Sequence, residues 1–243
     1  EVKLAKLIKQ RDGGLSGSGY GSSNNNFDLS DTAMCLRNNV FTFNNNSSIP
    51  YNSLTYQWRF GDGAISNLIS SSHSYGSHGV YQVQLIANSD KGCSDTLTKM
   101  LEVYPMPKAR FTMNDSTQCL RGNQVNFINQ SSIAYNSMSY LWRLVNGDSS
   151  AQTNTSQVYT NYGVYNTKLI AISQYGCRDT TSRPLEIYPM PLANFTVSDS
   201  AMCLRNNRFT FNNISSIPYN NLTYQWQFGD GGSSGLTSVN YTY

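Results

Sequence analysis

Few side chains in this 243-residue sequence can do chemistry. There are two histidines, His73 and His78, and five cysteines, Cys35, Cys93, Cys119, Cys177 and Cys203. Two Gly-Asp-Gly turns place Asp62 and Asp230 between flexible glycines. A hydrolytic site needs a nucleophile, a base and a group that orients the base. Two histidines in one stretch cannot build such a set in every copy of a repeat. One repeat later, their positions hold Gln157 and Tyr162. No catalytic residue is therefore expected, and the chain is read as no enzyme. Calcium asks for about six to eight oxygens. One aspartate per turn falls short, and a tight turn with glycine at positive φ explains the motif without metal. The expectation is no cofactor, with calcium as the one cation left open. No C-x-x-C spacing occurs, which argues against zinc. Cysteines placed this regularly argue for disulfides made in an oxidising compartment.

The elements that must position these residues are set by a repeat. Residues 31–63 and 199–231 match at 28 of 33 positions, and a divergent copy begins at Asp115. Landmarks recur every 84 residues: Cys35, Cys119 and Cys203; Trp58, Trp142 and Trp226; Tyr51, Tyr135 and Tyr219. A unit of this size buries its own core. The proline-rich Tyr104-Pro105-Met106-Pro107 and Tyr188-Pro189-Met190-Pro191 mark the seams, since proline stiffens a linker and cannot donate to a ladder. The expected domains are 27–104, a divergent 105–188 and a truncated 189–243. Residues 1–26 are read as end strands of a preceding repeat or as a strand-complementing segment.

Composition excludes several classes. Charged residues are 13% and the net charge is +3, too little for a nucleic-acid surface. Polarity comes instead from 28 Asn and 33 Ser. No apolar run approaches the ~20 residues that span a bilayer. Within each repeat the hydrophobic period is two. Phe41 and Phe43, then Tyr56, Trp58 and Phe60, then Tyr81, Val83 and Leu85 alternate with polar residues. Such runs, separated by Asn/Ser/Gly turns, are half-buried antiparallel strands. The fold class is all-β, tandem β-sandwiches of about seven strands, with Trp58, Trp142 and Trp226 as core anchors.

The run Tyr56-Gln57-Trp58-Arg59-Phe60-Gly61-Asp62-Gly63, then His73-Ser74-Tyr75, then Gly79-Val80-Tyr81-Gln82-Val83-Gln84-Leu85 resembles the PKD (polycystic-kidney-disease) repeat. The third unit carries Tyr224 to Gly231 in the same form. The second departs, with Leu144-Val145-Asn146-Gly147 in place of Phe-Gly-Asp-Gly. The resemblance implies an immunoglobulin-like sandwich in an extracellular or cell-surface protein. Arrays with a Cys before the second strand and Gly-Cys-x-Asp-Thr after the sixth resemble those of large Bacteroidota surface adhesins. Those are commonly exported by the type IX system. The implied role is the stalk or filament body of an adhesin or appendage. A carbohydrate- or protein-binding module, or accessory domains of a secreted hydrolase, are the alternatives. Expected partners are neighbouring PKD-like domains of the same or identical chains, and cell-surface glycans or proteins.

On that fold two disulfide schemes stay open. Counting gives Cys35–Cys93 and Cys119–Cys177 within units. The immunoglobulin-like order puts those positions at opposite ends, which favours Cys35–Cys177 as a staple between neighbours. Tyr51, Tyr135 and Tyr219 lie in the loop before the Trp strand. They are either recognition residues or packing at the seam. Thr32, Thr96, Ser116, Thr180 and Ser200 sit in D-(S/T)-x triplets that resemble an O-glycosylation motif of Bacteroidota exported proteins. The last residue, Tyr243, is the counterpart of Tyr75, and Glu1–Gly14 weakly resembles the sixth strand and its turn. Either the chain is a window on a longer array, or residues 1–26 of one copy complete the third domain of another.

Overall fold

The computed structural model describes residues 24–50 and 53–243. Tyr51 and most of the 1–26 segment therefore lie outside the described residues. The chain forms two compact units. The first holds residues 24–107 together with 133–138 and 172–178; the second holds 108–132, 139–171 and 179–243.

The first repeat runs β1 (Phe27–Leu29), β2 (Ala33–Cys35), β3 (Phe41–Asn45), β4 (Leu54–Arg59), β5 (Ile65–Ser66), β6 (Ser71–His73), β7 (Gly79–Ser89) and β8 (Ser94–Tyr104). β1-β3-β6 form one sheet and β2-β8-β7-β4-β5 the other. Alternation decides which side chains face inward. Phe41 and Phe43 of β3 are buried, as are Val83 and Leu85 of β7, while the residues between them face outward. The inward faces of both sheets meet in one cluster around Trp58. Phe27 packs edge-on to its ring at 5.0 Å and Phe43 lies at 5.6 Å. The Trp58 Nε1–H donates to Leu68 O at 3.0 Å, so its one polar atom is satisfied as burial requires.

The sandwich has eight strands rather than about seven, because the two-residue β5 pairs with the end of β4. One pairing is parallel, against the all-antiparallel expectation: β2 runs beside the end of β8, Cys35 opposite Tyr104. β2 is short and follows a crossing from the other sheet, so the chain reaches that edge in the same direction as β8.

The second repeat copies this with β9 (Phe111–Met113), β10 (Thr117–Cys119), β11 (Val125–Asn129), β12 (Met138–Arg143), β13 (Ser149–Ser150), β14 (Thr155–Gln157), β15 (Gly163–Ser173) and β16 (Arg178–Tyr188). Its sheets are ordered β14-β11-β9 and β10-β16-β15-β12-β13, closing on Trp142. The third has β17 (Phe195–Val197), β18 (Phe209–Asn213), β19 (Trp226–Gln227), β20 (Ser233–Ser234) and β21 (Val239–Tyr241). Among the described residues it carries no counterpart of the β7–β8 hairpin. The consequences are local. The Trp strand is six residues long in β4 and β12 but two in β19, and no strand forms at 201–203 where β2 and β10 would lie.

Candidate functional site

The cysteines converge first. Cys177 follows Gly176, whose φ of 82° makes the tight tip of the β15–β16 hairpin. Cys35 is bonded to Cys177, with Cα atoms 5.6 Å apart. Both residues belong to the first compact unit. The within-repeat pairs Cys35–Cys93 and Cys119–Cys177 are not formed. Cys35 lies opposite Tyr104 at the end of β8, whereas Cys93 precedes Ser94 at its start. Ten residues of strand span about 33 Å, against a reach of about 7 Å between bonded Cα atoms. Cys93, Cys119 and Cys203 are free thiols and exposed.

Aromatic residues surround the bond. Tyr104 stacks on Tyr175 with centroids 3.8 Å apart and planes 5° from parallel. The Arg37 guanidinium donates to Arg178 O at 3.3 Å. The Tyr135 hydroxyl donates to Glu102 Oε1 at 3.5 Å, and its ring packs edge-on to His78 at 5.6 Å. Burial, reinforced by the Glu102 charge, raises both the Tyr104 and Tyr135 phenols above their ordinary range, so both stay protonated. One repeat on, Tyr162 takes the place of His78 and packs edge-on to Tyr219 at 5.8 Å. The Tyr219 hydroxyl donates to Ile187 O at 3.4 Å. Burial, then Glu186, raises its pKa in the same way. Tyr135 and Tyr219 are thus held by protein partners, and an aromatic pair recurs where His78 stood.

The Gly-Asp-Gly turns are closed by their own aspartates. Asp62 Oδ1 accepts from the Ala64 amide at 3.0 Å, and Oδ2 lies 2.7 Å from His73 Nε2. The imidazole stacks on Phe60 at 4.3 Å. Partial burial works against the Asp62 carboxylate, but the bonds from His73 and Ala64 outweigh it and lower its pKa. Gly61 has φ 88°, and a Cβ there would sit 2.8 Å from Gln82 O; no other residue fits. In the third repeat Asp230 accepts from Gly232 N at 3.0 Å and from the Tyr241 hydroxyl at 2.8 Å, and Tyr241 stacks on Phe228. The aspartate thus clips the turn to the β6-type strand, through His in one copy and Tyr in another. The second repeat replaces the turn by a 3₁₀ turn over Val145–Gly147. Among the described residues no group of three or more His, Cys, Asp or Glu could hold a metal ion.

A second clip is absent from the reading of the sequence. Asn39 is buried, yet donates to Leu36 O at 2.8 Å and Tyr75 O at 2.9 Å and accepts from Tyr75 N at 2.7 Å. Asn123 does the same with Leu120 and Tyr159, and Asn207 with Leu204 and Tyr243. The 84-residue spacing marks all three, but they are hidden among many surface asparagines. The triplet hydroxyls Thr32, Thr96, Ser116, Thr180 and Ser200 all belong to exposed residues.

Residues 28–104 match the family model of the PKD domain. Among solved structures, the PKD1 domain of Vibrio anguillarum Epp is similar at 28% identity. It covers 34% of this chain and 93% of that one, with a TM-score of 0.30. The PKD1 domain of the Vibrio cholerae metalloprotease PrtV matches at 23% identity over 35% of this chain and 98% of that one, TM-score 0.28. The three N-terminal domains of the bacteriophage RB49 outer capsid protein Hoc match at 15% identity. There 89% of this chain and 80% of that one are covered, TM-score 0.37.

Proposed function

We propose that this chain is a non-catalytic extracellular array of PKD-like sandwiches, with domains at 27–104, 105–188 and 189–243, serving as the stalk or filament body of a larger surface adhesin. The observation that carries the reading is the Cys35–Cys177 disulfide, which ties the first repeat to the second across 142 residues. Disulfides form and persist chiefly in oxidising compartments, which supports the extracellular part of the reading. Under tension from the chain ends it keeps force out of the residues between Cys35 and Cys177. Two of the tyrosines a binding module would present already make protein contacts. Tyr135 is held by Glu102 and His78, and Tyr219 by Ile187 O and Tyr162. Type IX export and O-glycosylation at the five triplet hydroxyls belong to the same reading.

A glycan array probed with the whole chain and with Tyr135→Ala tests it. The structural reading expects no saturable glycan binding by either. Saturable binding that Tyr135→Ala abolishes would make the chain a carbohydrate-binding module instead.

A further inference from the structure

We propose that Tyr104 and Tyr175 are a dityrosine cross-linking site, where a one-electron oxidant joins their rings into a second staple that reductants cannot open. The first compact unit holds both residues. Their rings stack with centroids 3.8 Å apart and planes 5° from parallel. At that separation carbons of the two rings are already in van der Waals contact. Both rings stand on fixed backbone. Tyr104 closes β8, its carbonyl accepts from Leu36 N at 2.9 Å, and Pro105 follows it. Tyr175 lies in the tip between β15 and β16. There Ser173 N donates to Cys177 O at 2.8 Å, Gly176 N donates to Ser173 O at 2.9 Å, and Cys177 N donates to Ser173 Oγ at 3.1 Å. The Cys35–Cys177 bond ties these two backbones together beside the rings. Cys35 lies opposite Tyr104, and Tyr175 stands two residues before Cys177.

Access and geometry separate this pair from other tyrosine pairs in the chain. Tyr175 is 43% exposed, so an oxidant in solvent reaches it. Tyr75 and Tyr81 also stack, at 4.0 Å, but their planes are 28° apart. Tyr75 is buried, with its hydroxyl donated to Phe60 O. Tyr162 and Tyr219 meet edge-on at 5.8 Å. The ring packed against Tyr135 is an imidazole, that of His78.

A haem peroxidase with hydrogen peroxide is the class of oxidant that acts on exposed phenols. Each phenol gives up one electron and its hydroxyl proton and becomes a phenoxyl radical. The two radicals join through carbons next to their oxygens, forming one C–C bond. The hydrogen on each joined carbon then moves to the oxygen, which restores both phenols. Two hydrogens leave the protein, and one hydrogen peroxide becomes two waters. Radicals in free solution must first find each other. Here they are held in contact, which turns a bimolecular step into a unimolecular one. The new bond joins the same two elements as the disulfide, so the hairpin tip stays attached to β8 after reduction.

The test treats the whole chain, disulfide intact, with such a peroxidase and a small excess of hydrogen peroxide. The monomer should gain the blue fluorescence of dityrosine and lose the mass of two hydrogens. After reduction and trypsin, the peptides Met100–Lys108 and Leu169–Arg178 should be found joined. Tyr175→Phe, which keeps a ring in the stack, should lose that link, and Tyr135→Phe should keep it. In single-molecule extension of the treated chain, reductant should release roughly half the length it releases from the untreated chain, because the residues between Tyr104 and Tyr175 stay held. Coupling that occurs only between molecules, that survives Tyr175→Phe, or that runs as efficiently in the urea-unfolded chain would overturn the proposal. So would a treated monomer in which the two peptides are not joined.

Discussion

Asn39 shows how a single residue sets the local structure. Its amide joins the loop before β3 to the segment after β6, with no polar atom left over. Asn39→Ala removes one partner from each of three backbone groups, and a buried group left unpaired costs about 1–3 kcal/mol. Urea denaturation should register a loss in that range, whereas Val40→Ala, at an exposed neighbour, should cost less. Asp62 adds a pH dependence. Its folded pKa lies below the ordinary 3.8, so its contribution is present above that value and is lost as pH falls through the folded one. The stability difference between the wild type and Asp62→Asn should shrink as pH falls below about pH 4. A difference that held at low pH would mean that the carboxylate's charge is not what stabilises the turn.

At the scale of elements, the strands follow from patterning. Alternation around Phe41, Trp58 and Val83 shows the sandwich in the sequence because burial on one face is what period two means. The 84-residue spacing likewise exposes Trp58, Trp142 and Trp226 as equivalents. Three features were less legible. The parallel β2–β8 pairing leaves no mark in a three-residue strand. The Asp62–His73 clip could be read only as a turn and a stray histidine, since Gln157 and Tyr241 replace the imidazole. The pairing of Cys35 depended on which end of the fold each cysteine occupies, and spacing alone does not say. The tryptophans supply the element-scale prediction. Trp58→Ala and Trp142→Ala empty closed cores and should each cost about 3–5 kcal/mol. Trp226→Ala, in the open third repeat, should cost clearly less. Hydrogen exchange in the strands of each repeat would separate the three; equal costs would mean that the third core is closed in solution.

At the scale of the whole molecule, the disulfide is the controlling feature. A loop of 142 residues corresponds to roughly 5 kcal/mol in the chain-entropy model. The Cys35→Ser variant should therefore unfold at lower denaturant than the oxidised wild type and match the reduced wild type. The same bond defines what tension can reach. When the chain is pulled from its ends, force passes through the disulfide, and the residues between Cys35 and Cys177 stay hidden until it is reduced. At about 3.3–3.6 Å per residue, 142 residues hold back about 47–51 nm of chain. Single-molecule extension with and without reductant reads that length directly. A stapled structural array predicts one hidden length near 50 nm, released in a single step when the bond is cut. Two increments near 20 nm, as pairs closed within each repeat would give, or no redox-dependent length at all, would contradict it.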